Sequence, residues 1–377
     1  MRFRALDAWR GICASMIALL HFCIQEWPVP CQWCAASLVT SSWLFVDFFF
    51  VLSGFVIGHA YGDRLVSAES LRIFALRRFG RLWPLHAATL AAVVAVRVLA
   101  PVLTTGAAAA LPASGRQSLT SLGLDLVLVR PLGFGIDPAY HLDWNYPSWS
   151  IGVELWVCLL FALLCMLVRR RILLHALETF LIAACAALLY AALGVMDATD
   201  DYGFLRCLYG FLTGRLLYEL FRRCGPPSAA LATALETAVV AAVVVFVAWS
   251  DRSPWTIGAP LLFAAAIFVF AHESGAISRA LVHPFPQRLG ELSYSIYMVH
   301  VAVYEVMLRL GMPGLRWLGR QLSLGIAPAP WLGVLELVVA TTAVLAASSV
   351  TYRWIEQPGR RYFNGLASPS TLRSAAR

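Results

Sequence analysis

The chain contains no lysine and little charge of any kind. All 29 basic residues are arginine, and charged residues make up 13% of 377 positions. A soluble domain carries roughly a quarter, so a sizeable soluble domain is excluded. The net charge of +8 would suit nucleic acid. The arginines, however, sit mostly between hydrophobic runs, and no basic soluble module is left to carry such binding. No nucleic-acid partner is therefore expected. There is no heptad pattern and no clear internal repeat, so neither a coiled coil nor a solenoid is indicated. The dense His, Cys and carboxylate spacing of a zinc site is also missing, and no metal is implied.

Hydrophobic residues are abundant instead, at 60%. They fall in runs of about 20, the length that spans a bilayer as a helix. The fold class expected is all-α, a polytopic transmembrane bundle. Ten spans are read, over 6–25, 38–62, 82–104, 146–168, 173–194, 203–221, 229–249, 256–273, 289–308 and 331–352. The sixth is the least apolar, holding Arg206, Arg215 and Glu219. The stretch 118–129 is too short to cross and suits an interfacial or re-entrant piece.

The arginines test this count. With the N-terminus in the cytoplasm, only Arg116, Arg130, Arg252, Arg309, Arg316 and Arg320 fall outside. Arg10, Arg97, Arg206 and Arg215 lie inside spans, and the other nineteen face the cytoplasm. The positive-inside rule thus supports ten spans with both termini cytoplasmic. A membrane domain over 1–363 and a disordered cytoplasmic tail over 364–377 are expected. The N-terminus could pass for a signal peptide, with Ala35-Ala36-Ser37 as a cleavage region. Arg10 and His21 inside the apolar stretch, and the span that follows at once, argue against it. Most of the nine cysteines, Cys23 among them, lie in apolar runs as small hydrophobes. Cys31 and Cys34 form one C-x-x-C, either a local disulfide or two unlinked thiols.

Ionisable groups inside membrane helices are costly and usually functional. Arg10 and His21 are eleven residues apart on the first span, close to three turns and about 16 Å along the axis. Histidine is the usual general base near neutral pH; a buried histidine bonded to a carbonyl is the structural alternative. Asp47 and Glu154 each enter a span from outside, about 10 Å below the surface by helical rise. Either carboxylate could orient His21 and stabilise its imidazolium, or form an ion pair that locks the bundle. Gly54 and Gly58 have the small-xxx-small spacing of close helix packing. Arg77, Arg78 and Arg81 stand at the cytoplasmic mouth of the third span, and guanidinium forks suit phosphates. Ser148, Trp149 and Ser150 could meet a sugar or cap a helix. Ser293, Tyr297 and His300 share a face of the ninth span, lining a cavity or forming a core network.

Six blocks in order resemble the acyltransferase-3 family of integral membrane acyltransferases. They are "LDAWRGICASMIALLH", "DFFFVLSGF", "RRFGRLWP", "WSIGVELW", "LGELSYSIYMVH" and "YRWIEQPGRR", which run from Leu6 to Arg361. The resemblance implies O-acyl transfer, commonly of acetyl, from cytoplasmic acyl-CoA (acetyl-CoA) to a hydroxyl of a glycan or glycosylated acceptor. Polysaccharides and lipopolysaccharide are typical acceptors. It implies a multi-pass protein of the bacterial inner membrane. It carries the catalytic role onto His21, the motif acid onto Glu154, and donor handling onto Arg10, Arg78 and Arg81. The chain departs from the family just after Glu154, where Leu155, Val157 and Cys158 replace an acid and an aromatic pair; this bears on the acceptor side.

The expected site therefore has His21 as the base or brief acyl carrier, oriented by Glu154 or Asp47. Arg10, Arg78 and Arg81 would hold CoA phosphates, and Trp149, Ser150, Tyr297 and His300 would meet the acceptor. The alternative is a proton-coupled secondary transporter with His21, Asp47 and Glu154 as a relay. It would carry inverted repeats or broken helices, and none is clear in the sequence.

Overall fold

The computed structural model describes residues 2–25, 27, 31–62, 64–65, 67–106, 118–132, 144–199, 201–311 and 331–368. Among them every regular element is helical. Ten long helices follow one another: α1 (Arg4–Cys23), α2 (Phe45–Tyr61), α3 (Ala68–Thr105), α4 (Ser148–Leu167), α5 (Arg171–Leu193), α6 (Gly203–Phe221), α7 (Ala229–Trp249), α8 (Ala259–Ala271), α9 (Pro284–Val306) and α10 (Trp331–Thr351). A short helix, Gln357–Leu366, closes the described chain. It continues past 363; most of the expected tail, 369–377, lies outside the described residues, as do Arg116, Arg316 and Arg320.

Among the described residues, eight helical segments are long and apolar enough to cross a membrane. The other two long helices, α6 and α9, are the most enclosed: Arg206 to Arg215 and Leu292 to Ala302 are buried without a break. A helix surrounded by other helices needs no apolar exterior, so polar side chains survive there when partners exist. By contrast, α5 and α7 expose Phe180, Leu188, Val244 and Val245, as lipid-facing helices do.

Two helix pairs form the centre, and small residues set both. A Cβ on Gly54 would strike the Phe211 carbonyl of α6, and one on Gly214 would strike the Val51 carbonyl of α2. Only glycine allows so close an approach of two backbones. The expected packing role of Gly54 is thus met. Gly11 of α1 and Gly290 of α9 do the same, each facing the other helix's backbone.

The third helix starts fourteen residues earlier than the hydropathy edge at 82. Ser67 and Ser70 form a reciprocal capping box, with Ser67 Oγ accepting from the Ser70 amide at 3.1 Å. Arg78 and Arg81 therefore ride ten and thirteen residues into α3, about 15 and 20 Å along it, rather than standing before it.

Leu119–Leu126 is one eight-residue helix, about 12 Å long. The carbonyls of Leu126 and Leu128 accept the indole N–H groups of Trp83 and Trp156 at 3.0 and 2.9 Å. Arg130, assigned from sequence to an outer segment, is buried and bound to Asp125 at 2.9 Å. The disulfide also differs from expectation. Cys23 pairs with Cys34, Cα atoms 5.1 Å apart, while Cys31 is a free thiol buried in the core. The turn Gln32–Ala35 brings Cys34, not Cys31, to the end of α1.

Candidate active site: an arginine-lined cavity below a histidine pair

A cavity of about 490 Å³ opens between α1, α2, α3, α4, α9 and the final turns of the chain. Arg10, Arg78 and Arg81 all line it. Two of them come from one face of α3, where three-residue spacing stacks side chains, and Arg10 comes from α1. Glu154, Ser150 and Tyr297 share the same walls. With Ser293, seven of the residues singled out from sequence therefore meet in one space.

The arginines are not equivalent. Arg78 Nη2 donates to Glu154 Oε1 at 2.5 Å, to Ser53 Oγ at 3.0 Å and to Cys158 Sγ at 3.2 Å. Ser53 in turn donates to the same carboxylate oxygen at 2.6 Å. Arg78 and Glu154 thus form a nearly buried, cross-braced pair. Arg10 reaches Asp7 only at 3.5 Å, and Arg2 holds that carboxylate more tightly at 2.7 Å. Arg81 has no carboxylate within ion-pair distance among the described residues. Its charge faces the cavity with no acid bonded to it, an arrangement that suits an anion.

Sequence reasoning missed several lining groups. Arg2, Glu291, Tyr294, Glu356 and Arg360 complete the half nearest the N-terminus. Glu356 accepts from Ser295 Oγ at 2.9 Å and lies 3.6 Å from Arg360. The closing block "YRWIEQPGRR" held the signal for both, since it sets an acid four residues before an arginine. Tyr294 donates to the Leu82 carbonyl at 2.5 Å, tying α9 to α3.

At the inner end the hydroxyls of Ser150 and Tyr297 meet at 2.8 Å. One turn further along α9 lies His300, its ring 6.2 Å from that of Tyr297. His300 is buried, and its Nε2 sits 2.8 Å from Nδ1 of the half-buried His21. The two rings are almost parallel, 6° apart with centroids at 4.9 Å. Tyr146 packs edge-on against His21 at 4.7 Å. His21 itself does not line the cavity; it stands just beyond the Ser150–Tyr297 contact.

Neither expected carboxylate orients His21. Glu154 is held by Arg78, and Asp47 is held by Arg206, whose Nε and Nη2 donate to it at 2.9 and 2.7 Å. Both members of that second pair are fully buried. The guanidinium is sandwiched between Trp43 at 5.2 Å and Trp149 at 5.6 Å. Asp47 and Trp149 thus serve a structural ion pair away from the cavity, because Arg206, 159 positions on from Asp47, captures the acid. Among the described residues no group of three or more His, Cys, Asp or Glu is arranged to hold a metal.

A family of acyltransferase domains matches residues 3–353. Acyltransferase MdmB of Streptomyces mycarofaciens is 26% identical over 394 aligned residues, which cover 96% of this chain and 92% of that protein. Protein 2 in the picA locus of Rhizobium radiobacter is 39% identical over 95 residues, 25% of this chain and 45% of that protein. No solved structure matches. A family match over nearly the whole length, on membrane-length helices that enclose a polar cavity, leads to one conclusion: the chain belongs to the acyltransferase-3 family and is a multi-pass membrane acyltransferase.

Proposed function

We propose that this enzyme moves an acyl group, acetyl in the simplest case, from cytoplasmic acyl-CoA to a hydroxyl of a glycan or glycosylated acceptor. One observation carries the reading. Arg10 and Arg81 open, with their charges largely available, into a cavity whose inner end lies one helical turn from the His21–His300 pair. A phosphate-rich donor would dock on those guanidiniums, Arg81 foremost, through charge-assisted hydrogen bonds. Arg78 would act by holding Glu154, and the Ser150–Tyr297 contact would mark the reach of the thioester. His21 would accept the proton of the acceptor hydroxyl as it attacks the thioester carbon. Asp47 takes no part in this scheme, which also deprives a proton-relay transporter of one of its three groups.

We further propose ten spans in the inner membrane of a bacterium, with both termini cytoplasmic. The Cys23–Cys34 disulfide lies two residues beyond His21. Disulfides persist in oxidising compartments, so this end of α1 would face away from the cytoplasm, opposite the arginine-lined end. The acceptor would then approach His21 from outside.

The test uses purified protein in lipid nanodiscs and membranes from expressing cells. Acetyl-CoA should protect the protein against thermal unfolding, and radiolabelled acetyl groups should pass to surface glycans. His21→Ala should abolish transfer while leaving thermal protection in place. Full transfer by His21→Ala, or no protection by acetyl-CoA, would defeat the reading.

A further inference from the structure

We infer that His300 is the positioning residue of this site: it sets the tautomer of His21, so that the Nε2 lone pair of His21 is the one offered to the acceptor hydroxyl. The inference rests on the proposed role of His21 and deepens it.

His300 Nδ1 lies 3.1 Å from the Ile296 carbonyl oxygen, one turn back along α9. A carbonyl only accepts, so His300 carries its proton on Nδ1. A neutral imidazole has a single N–H, and His300 Nε2 is then a lone pair. That lone pair faces His21 Nδ1 at 2.8 Å. Two lone pairs at that distance would repel, so His21 must carry its proton on Nδ1 and donate it. His21 Nε2 is left without hydrogen. Doubly protonating His300 instead would place a cation among Tyr146, Tyr297 and Tyr304, whose rings surround it at 6.4, 6.2 and 5.7 Å. No carboxylate or guanidinium is bonded to either imidazole among the described residues. Glu305, five residues along α9, is occupied by Arg97 and Arg309.

The surrounding packing fixes the pair. Tyr304 donates to the Ala18 carbonyl at 2.9 Å, one turn from each histidine. The glycine contacts between Gly11 and Gly290 hold α1 and α9 at one separation. A free neutral imidazole prefers its proton on Nε2, which would turn the lone pair toward α9. His300 reverses that preference.

In the reaction the acceptor O–H bond breaks and its proton goes to His21 Nε2. The oxygen forms a bond to the acyl carbon, the carbon–sulfur bond breaks, and the departing thiolate takes the proton back from His21. Throughout, His300 Nε2 accepts from His21 Nδ1–H and supports the transient imidazolium. A buried aspartate does this in a Ser-His-Asp triad; here the partner is neutral.

Nitrogen NMR of protein labelled in its histidines and held in nanodiscs reads the tautomer without any acceptor. His21 and His300, assigned from the His21→Ala and His300→Gln spectra, should both show protonated Nδ1 and bare Nε2. In transfer assays with acetyl-CoA, His300→Leu should lose about 10²- to 10³-fold in turnover. His300→Gln, whose amide oxygen can still accept from His21 Nδ1–H, should stay within about tenfold of wild type and keep the His21 signature. A merely structural role would not be rescued by glutamine in this way. A protonated His21 Nε2 in the wild-type spectrum, or full turnover by His300→Leu, would overturn the inference. Full turnover by His21→Ala would instead defeat the proposed function and leave the tautomer assignment to the spectrum.

Discussion

Arg78 and Arg81 project from one face of α3 into one cavity, yet only Arg78 has an acid partner: its Nη2 lies 2.5 Å from Glu154, while Arg81 has no carboxylate in reach among the described residues. The two side chains should therefore fail in different ways. Arg81→Gln should raise the KM for acetyl-CoA about 10- to 100-fold, the worth of a charge-assisted hydrogen bond, with almost no change in Tm. Arg78→Gln should lower stability by about 3 kcal/mol or more, because it strands a buried carboxylate. Acetyl-CoA titration and thermal unfolding of both variants in nanodiscs decide this. Equal Tm losses would contradict it.

The Asp47–Arg206 pair should behave as a lock and not as a catalytic element. Asp47→Asn leaves the Arg206 charge between two indoles, and should cost about 3–5 kcal/mol. The double change Asp47→Asn with Arg206→Met removes both charges and should recover much of that loss. Thermal unfolding of the two single variants and the double variant makes the cycle. A double variant as unstable as the sum of the singles would mean the residues do not act on each other.

Backbone contact between α2 and α6 makes Gly214 intolerant of any side chain. Gly214→Ala should destabilise by about 1–3 kcal/mol or more through overpacking. Gly225→Ala, where nothing lies within 4 Å of the added Cβ, should unfold at the wild-type temperature. Tm values that do not separate the two would place the α2–α6 crossing elsewhere.

The cysteine pairing is directly measurable. Peptide mapping under non-reducing conditions should recover Cys23 linked to Cys34, with Cys31 alkylated only after unfolding. Cys34→Ser should lower stability by about 2–3 kcal/mol, as expected for a short closed loop, and Cys31→Ser should leave the crosslink intact. A Cys31–Cys34 peptide would be the contrary result.

The membrane class, the order of the helices and the family blocks were all readable from the chain, because hydropathy runs, arginine placement and block order are local properties. Arg10, Arg81, Glu154, Ser150 and Tyr297 could each be singled out as polar groups, but not their meeting in one cavity, since Arg81 was expected at the cytoplasmic mouth and Glu154 and Ser150 near the outer surface. What failed was partner assignment. Asp47 looked like a companion of His21 because both were placed at one depth, but Arg206, 159 residues on, lies on the helix that actually abuts α2. Hydropathy also put Arg78 at the membrane edge. The structure shows instead a capped helix that starts at Ala68 and sets Arg78 ten residues in, bonded to Glu154.

By itself the sequence determined that apolar helices of membrane length must assemble around a few costly charges, because composition and period are written residue by residue. Which charge meets which was decided only by tertiary structure. Helices α1 and α9 are brought together at Gly11 and Gly290, and that contact sets His300 against His21 across 279 positions of chain. Such a pairing depends on the separation and rotation of two helices in space, quantities that no local pattern encodes.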